Sequence, residues 1–283
     1  MKFIRLIPKL DIKGKNLVKG INLEGLRVLG DPSSFVNFYT NNGADEIIYN
    51  DVVASLYGRN NILDLISKTA RSCSIPITVS GGIRTIEDIK NTLKAGADKV
   101  AINTAAVDNP NFIGEAARTF GSSTIVINIE SSFYNNEFRI FTNNGREQTK
   151  YSLKDWVKII QNHGAGEILL TSIENEGTGT GFNTELIKSI DGLSKVPIIL
   201  NGGARYPNDL VKVKKEYNID AFALASMLHY NLLKHIPSDD FKTDLGNTSF
   251  IKSNKNFMDF GDFSMQDIKS ELIKNKMQTR NKW

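Results

Sequence analysis

Cysteine is almost missing from this sequence. Cys73 stands alone among 283 residues, so no internal disulfide can form and a reducing, cytoplasmic setting is expected. No apolar run is long enough to span a bilayer, and no membrane association is expected. The opening Met1-Lys2-Phe3-Ile4-Arg5 passes at once into a strand-like stretch, which leaves no room for a signal peptide. Charge of one sign is also scarce: a net +4 is too mild to argue for nucleic acid and suits an anionic small molecule as well. No metal and no cofactor are expected. What the chain does have is 40% hydrophobic residues, enough to bury one large core, read as a single domain over residues 1–283.

It also repeats itself, at an offset of about 120 residues. Gly43-Ala44-Asp45-Glu46-Ile47-Ile48, Ile75-Pro76-Ile77-Thr78-Val79-Ser80-Gly81-Gly82 and Asp98-Lys99-Val100-Ala101-Ile102-Asn103 belong to the first half. Gly164-Ala165-Gly166-Glu167-Ile168-Leu169, Val196-Pro197-Ile198-Ile199-Leu200-Asn201-Gly202-Gly203 and Asp220-Ala221-Phe222-Ala223-Leu224-Ala225 answer them. Each unit is a β-branched run, a polar or glycine-rich turn, and a helix-like stretch such as 85–93 or 208–213. Strands centred near residues 8, 48, 77, 100, 127, 169, 198 and 222 then predict a (β/α)8 barrel built by half-barrel duplication. An open doubly wound sheet is the competing architecture.

In such a barrel the chemistry belongs where strands end. Gly81-Gly82 with Asn103-Thr104 reads as a phosphate cradle, and Gly202-Gly203 with Ala225-Ser226 as its duplicate. Glycines let backbone N–H groups approach an anion, and a helix N-terminus adds a favourable dipole. A lone Gly-Gly is more often a tight turn; two related pairs predict a substrate with an anionic group at each end. Asp11 and Glu130 form a second duplicated pair, on opposite sides of the mouth, able to divide acid and base work if their surroundings separate their pKa values. The bland alternative is that each caps a strand or pairs with a lysine, and Lys9 shares the face of Asp11.

The runs Lys9-Leu10-Asp11-Ile12-Lys13, Leu17-Val18-Lys19-Gly20, Gly30-Asp31-Pro32, Gly96-Ala97-Asp98-Lys99-Val100, Ile102-Asn103-Thr104-Ala105-Ala106-Val107 and Gly164-Ala165-Gly166-Glu167-Ile168-Leu169-Leu170-Thr171-Ser172 resemble the HisF family over nearly the whole chain. That family is the cyclase subunit of imidazole glycerol phosphate synthase. The resemblance implies an ammonia-dependent lyase/cyclase and a HisH-type glutaminase partner whose ammonia travels up the barrel axis. The substrate would carry a phosphate at each end and yield imidazole glycerol phosphate and an aminoimidazole carboxamide ribotide. Carried over by position, Asp11 matches one acid/base carboxylate and Glu130 stands where an Asp is expected. Lys19, Asp51, Thr171, Glu176 and Gly177 join the two cradles as substrate-binding positions. Arg5, Glu46, Lys99 and Glu167 match the charged ring that gates the ammonia passage, and their parity along the strands supports an inward face.

Departures from the pattern are Glu130, Lys9, Asn128 and Ser80, with Glu174 and Glu176 in place of aspartates. The stretches 10–30 and 54–61 look more like the HisF-like acetamidino-modification paralogues, which act beside a glutaminase on surface-polysaccharide sugars. The departures favour that reading over the histidine cyclase, and intact Asp11, Lys19 and cradles count against a noncatalytic glutaminase-binding barrel. An inserted loop is expected at 231–258, a final helix at 264–274, and a frayed basic tail at 274–283.

Overall fold

The structure, a computed structural model, describes residues 3–54, 62–234 and 260–280. The barrel strands are β1 (Arg5–Lys13), β4 (Ile47–Asp51), β5 (Ile77–Ser80), β6 (Lys99–Ile102), β7 (Ile125–Tyr134), β10 (Glu167–Ser172), β11 (Ile198–Asn201) and β12 (Ala221–Leu224). They pair in parallel in that order. The circle closes where β12 meets β1, with Arg5 opposite Ala221, and its two halves also join where β7 meets β10, with Glu130 opposite Thr171. A closed (β/α)8 barrel thus replaces the open-sheet alternative, and all eight expected strands are present.

The repeated sequence has local physical reasons. Gly43 and Gly164 each turn the chain out of a helix at positive φ, 92° and 91°, where a Cβ would be strained. The acid before a strand accepts an N–H from the strand before it: Asp45 from Leu6 at 2.8 Å, Asp98 from Ile77 at 2.8 Å and Asp220 from Ile198 at 3.0 Å. Helix α3 (Ile86–Lys94) starts with Thr85 and Asp88 capping one another, while Asp209 accepts the N–H groups of Arg205 and Tyr206 at the start of α8 (Pro207–Glu216). The strand-to-helix elbows also match. Asn103 enters α4 (Thr104–Asp108) with φ −120° and ψ −88°, and Ala225 enters α9 (Ser226–Leu233) with φ −120° and ψ −87°.

Two strands outgrow the barrel. β1 runs on into an antiparallel hairpin, β2 (Asn16–Ile21) and β3 (Glu24–Gly30), and β7 into β8 (Glu137–Thr142) and β9 (Glu147–Ser152). Asn22 and Leu23 (φ 51° and 66°) turn β2 into β3, and Asn135 and Asn136 (φ 48° and 64°) turn β7 into β8, left-handed pairs that suit tight turns. The turn after β2 folds over the mouth: Asn22 donates to the carbonyls of Ile173, Glu174 and Glu176 in the loop after β10.

The barrel interior is layered. Arg5, Glu46, Lys99 and Glu167 occupy its entry end, and Ile7, Ile48, Ala101, Val126, Leu169, Ile199, Ala221 and Ala223 fill an apolar layer. Polar groups, among them Lys9, Asn50, Asn128 and Asn201, lie towards the strand ends. The opposite strand faces pack Leu6, Leu10, Tyr49, Val79 and Ile127 against the helices.

The C-terminal part corrects two expectations. The final helix is there as α10 (Met265–Lys274), capped by Ser264, but the tail after it is docked as far as Arg280 rather than frayed. Ile4 donates to the Gln278 carbonyl at 2.8 Å and bridges Thr279, and the Arg280 carbonyl accepts from Lys269 at 2.9 Å. The cause is satisfaction of buried donors: Lys269 also reaches Asp45 at 3.0 Å and is itself buried. Residues 231–233, expected to open the inserted loop, belong to α9, where Asn231 and Leu232 are buried. The rest of the inserted loop, residues 235–258, lies outside the described residues, as do the 55–61 portion of the paralogue-like stretch and the last three residues of the tail.

Candidate active site at the barrel mouth

Asp11 lies on the inward face of β1 and bonds three polar side chains, in a cluster that Glu176 joins through Lys19. Lys9 Nζ donates to its Oδ1 at 2.6 Å, Asn50 Nδ2 to the same oxygen at 2.8 Å, and Lys19 Nζ approaches Oδ2 at 3.3 Å while also pairing with Glu176. All of these side chains are buried. Although burial alone opposes its charge, the two ammonium groups and the Asn50 amide hold the Asp11 carboxyl well below the usual carboxylate range.

Glu130, on β7, has the opposite character. Its Oε2 accepts the Gly145 N–H at 2.8 Å and its Oε1 receives only a long contact from Asn128 at 3.4 Å. Burial dominates and pushes its carboxyl up to about 7, with Lys9 drawing it down and Asp11 adding to the rise. One carboxyl therefore stays ionised, and the other can gain or lose a proton near neutral pH.

Glu130 lines a cleft of about 450 Å³ together with Asn50, Asp51, Gly81, Gly82, Asn103 and Thr104. The first cradle and one carboxylate of the pair thus meet in one cavity. Asp11 and Lys19 are not on its wall, so this cleft does not set two carboxylates facing one another across an open pocket: Asp11 is held within the buried Lys9–Asp11–Lys19–Glu176 cluster. The bland reading of Asp11 as a lysine-paired carboxylate is also part of its geometry. Asp51 lines the cleft with its carboxylate turned to the Val53 N–H, 3.1 Å away, and burial raises its pKa; it is the neighbouring Asn50 that reaches Asp11. Thr171 sits beside Glu130 on β10 and accepts from Asn201 at 3.1 Å.

Gly202, Gly203, Ala225 and Ser226 of the second cradle line one pocket with Glu176 and Gly177, around about 10 Å³ of free space. The enclosed part of this pocket is no larger than a water molecule. The buried Ser226 hydroxyl has no hydrogen-bond partner, and neither do Oδ1 of Asn103 and Oδ1 of Asn128, leaving polar atoms at both cradles for a ligand to satisfy. The glycines are needed sterically as well. A Cβ at Gly81 would lie 2.3 Å from the Asp51 carbonyl oxygen, and one at Gly203 2.0 Å from that of Gly181.

At the opposite end the four ring residues form a closed circuit. Arg5 bonds Glu46 at 2.6 Å and also Glu167, while Lys99 reaches Glu167 at 3.0 Å and Glu46 at 3.4 Å. Each cation touches both anions, and between this ring and the mouth the barrel interior holds the apolar layer and, level with Ile48, the buried Thr78, whose hydroxyl has no hydrogen-bond partner.

Sequence reasoning missed Asn50, Gly145, Tyr39 and His229. His229 on α9 is fully buried; its Nε2 meets the Lys9 carbonyl at 2.9 Å and its Nδ1 the Tyr39 hydroxyl at 2.7 Å. A carbonyl only accepts, so Nε2 carries the proton and Nδ1 accepts from Tyr39, consistent with burial lowering the imidazole to about 4. No sequence signal marks Tyr39 or His229, whereas Asn143-Asn144-Gly145, with positive φ throughout, could have flagged the turn that reaches Glu130.

A closed parallel (β/α)8 barrel with a buried carboxyl pair and two glycine-rich loops at its mouth has the frame of a barrel enzyme. The family model described as histidine biosynthesis protein matches residues 5–234. Three curated relatives share one name, imidazole glycerol phosphate synthase subunit HisF. That of Legionella pneumophila is 51% identical over 204 residues, covering 72% of this chain and 96% of the relative. That of Metallosphaera sedula is 39% identical over 242 residues (86% and 96%), and that of Lactococcus lactis subsp. cremoris strain SK11 is 37% identical over 278 residues (98% and 96%). The chain belongs to the HisF family. Among the described residues no helix is long and apolar enough to cross a membrane.

Proposed function

We propose that this chain is the ammonia-using cyclase subunit of an imidazole glycerol phosphate synthase, working with a HisH-type glutaminase docked on the face that bears the charged ring. The observation that carries the reading is the split pair at the mouth: Asp11 fixed as an anion and Glu130 titrating at about 7, on one barrel axis with the ring. Ring closure by ammonia needs a proton taken from nitrogen and a proton delivered to a leaving group, and a group poised near neutral pH serves both. The apolar layer between ring and mouth suits neutral ammonia better than ammonium, since an unpaired charge there is costly. The first cradle would hold one phosphate and the second the other.

The names of the relatives support the histidine-pathway cyclase better than the amidino-sugar reading favoured by the motif departures. The sugar reading keeps one specific support: Lys9, Asn128 and Glu130 line the same interior and all depart from the family pattern. Rescue of a histidine auxotroph lacking its cyclase separates the two. The expected outcome is growth with the unmodified chain supplied with its glutaminase and none with Asp11→Asn. Absence of growth, with a glutaminase complex still recovered on size exclusion, would turn the assignment to the sugar pathway.

A further inference from the structure

Lys9 is a buried ammonium inside a barrel, with a side chain about 3% exposed, and the proposed chemistry gives it no task. A buried charge persists only where its surroundings stabilise it, and those of Lys9 are specific. Its Nζ holds Asp11 Oδ1 at 2.6 Å, on the oxygen that also accepts from Asn50. Its own carbonyl accepts from His229 Nε2 at 2.9 Å, and Tyr39 fixes the other imidazole nitrogen at 2.7 Å. The backbone from which this side chain springs is therefore clamped from outside the barrel by a chain of two buried groups, one from α9 and one from α1 (Pro32–Asn41).

We propose that Lys9 is the positioning residue of the acid/base pair: bonded to Asp11 and acting through space on Glu130, its ammonium sets how readily Glu130 gives up its proton. The groups that face Glu130 are few. From β1 come Lys9 and Asp11, from its own strand Asn128, from the β8–β9 turn the Gly145 N–H, and from β10 the uncharged Thr171. Of the influences that draw the Glu130 carboxyl down against burial, that of Lys9 is the largest, ahead of the Gly145 N–H and the Asn128 amide. Asp11 keeps a second cation, Lys19, so loss of Lys9 leaves Asp11 ionised with its charge less fully opposed towards Glu130. Both effects raise the proton affinity of Glu130.

This inference rests on the reading of Asp11 and Glu130 as the acid/base pair, but its test needs no substrate. The Glu130 carboxyl is followed by carbon-13 NMR titration of the full chain, its signal assigned by loss in Glu130→Gln. Lys9→Met and Lys9→Gln are expected to move the midpoint upward by at least about one pH unit, a tenfold change in proton affinity, while Lys9→Arg keeps it near the wild-type value. A folded Lys9→Met or Lys9→Gln with an unmoved midpoint overturns the proposal. Should the neutral variants fail to fold, nitrogen-15 NMR of the wild-type Lys9 amine decides: its signal must shift at the Glu130 midpoint, and a flat response overturns the proposal equally. Failed rescue of the auxotroph would leave this result standing, and an unmoved midpoint would leave rescue intact.

Discussion

Glu130 and His229 link the site to stability, with opposite signs. The Glu130 carboxyl sits at about 7 in the fold against 4.5 for a free side chain, so the folded state prefers its neutral form. Its contribution is fully present below about 4.5 and is lost as pH rises through 7, by at most about 3 kcal/mol. Glu130→Gln should therefore match the wild type in urea unfolding at pH 4 and exceed it at pH 8; equal stabilities at both would refute the raised value. His229, at about 4 against 6.5 when free, does the reverse: the unfolded chain takes up its proton first, and stability is lost as pH falls from 6.5 to 4. The two slopes oppose one another between about 4.5 and 6.5, which predicts a flat wild-type profile there and a falling one with rising pH in a folded His229→Gln. Asp11, Lys19 and the cradle residues were legible in the sequence because the duplication and the strand ends point to them. Asn50 and His229 were not, since what they do depends on which strand or helix lands beside them.

Among the elements, the strand-turn-helix units were readable because each contains its own reasons: β-branched run, glycine, capping acid. The antiparallel strands β2, β3, β8 and β9 were not legible, although Asn135-Asn136 marks the turn between β7 and β8, because they lie outside the barrel repeat. The cradle glycines show how sterics and function share a residue. Gly203 has φ +104° and a Cβ would lie 2.0 Å from the Gly181 oxygen, whereas Gly192, at φ +72°, faces open space. Gly203→Val should lower unfolding stability by roughly 3 kcal/mol or more, and Gly192→Ala by only about 1 kcal/mol. Similar losses in chemical denaturation would show that the close approach at Gly203 relaxes easily.

At the scale of the whole molecule, the ring is where four barrel strands are tied together by charge. Glu167→Gln removes one partner from both Arg5 and Lys99 while Glu46 remains, so the expected loss is about 1–3 kcal/mol, short of that for stranding a fully buried charge. Unfolding in urea at low and high salt measures it, and a loss that vanishes in high salt would place the ring among ordinary surface pairs. The barrel's closure was legible from the repeat alone; the docked tail was not, because a basic composition says nothing of where a chain end lies. That tail has one more consequence. With Ile4 hydrogen-bonded to Gln278 and bridged to Thr279, the two ends of the described chain run side by side. The order in which the strands are synthesised is then a convention rather than a requirement of the fold. A circular permutant that joins the old ends through a short linker and opens at the exposed turn of Gly121 and Ser122, between the two half-barrels, should refold to the same barrel with its second half made first.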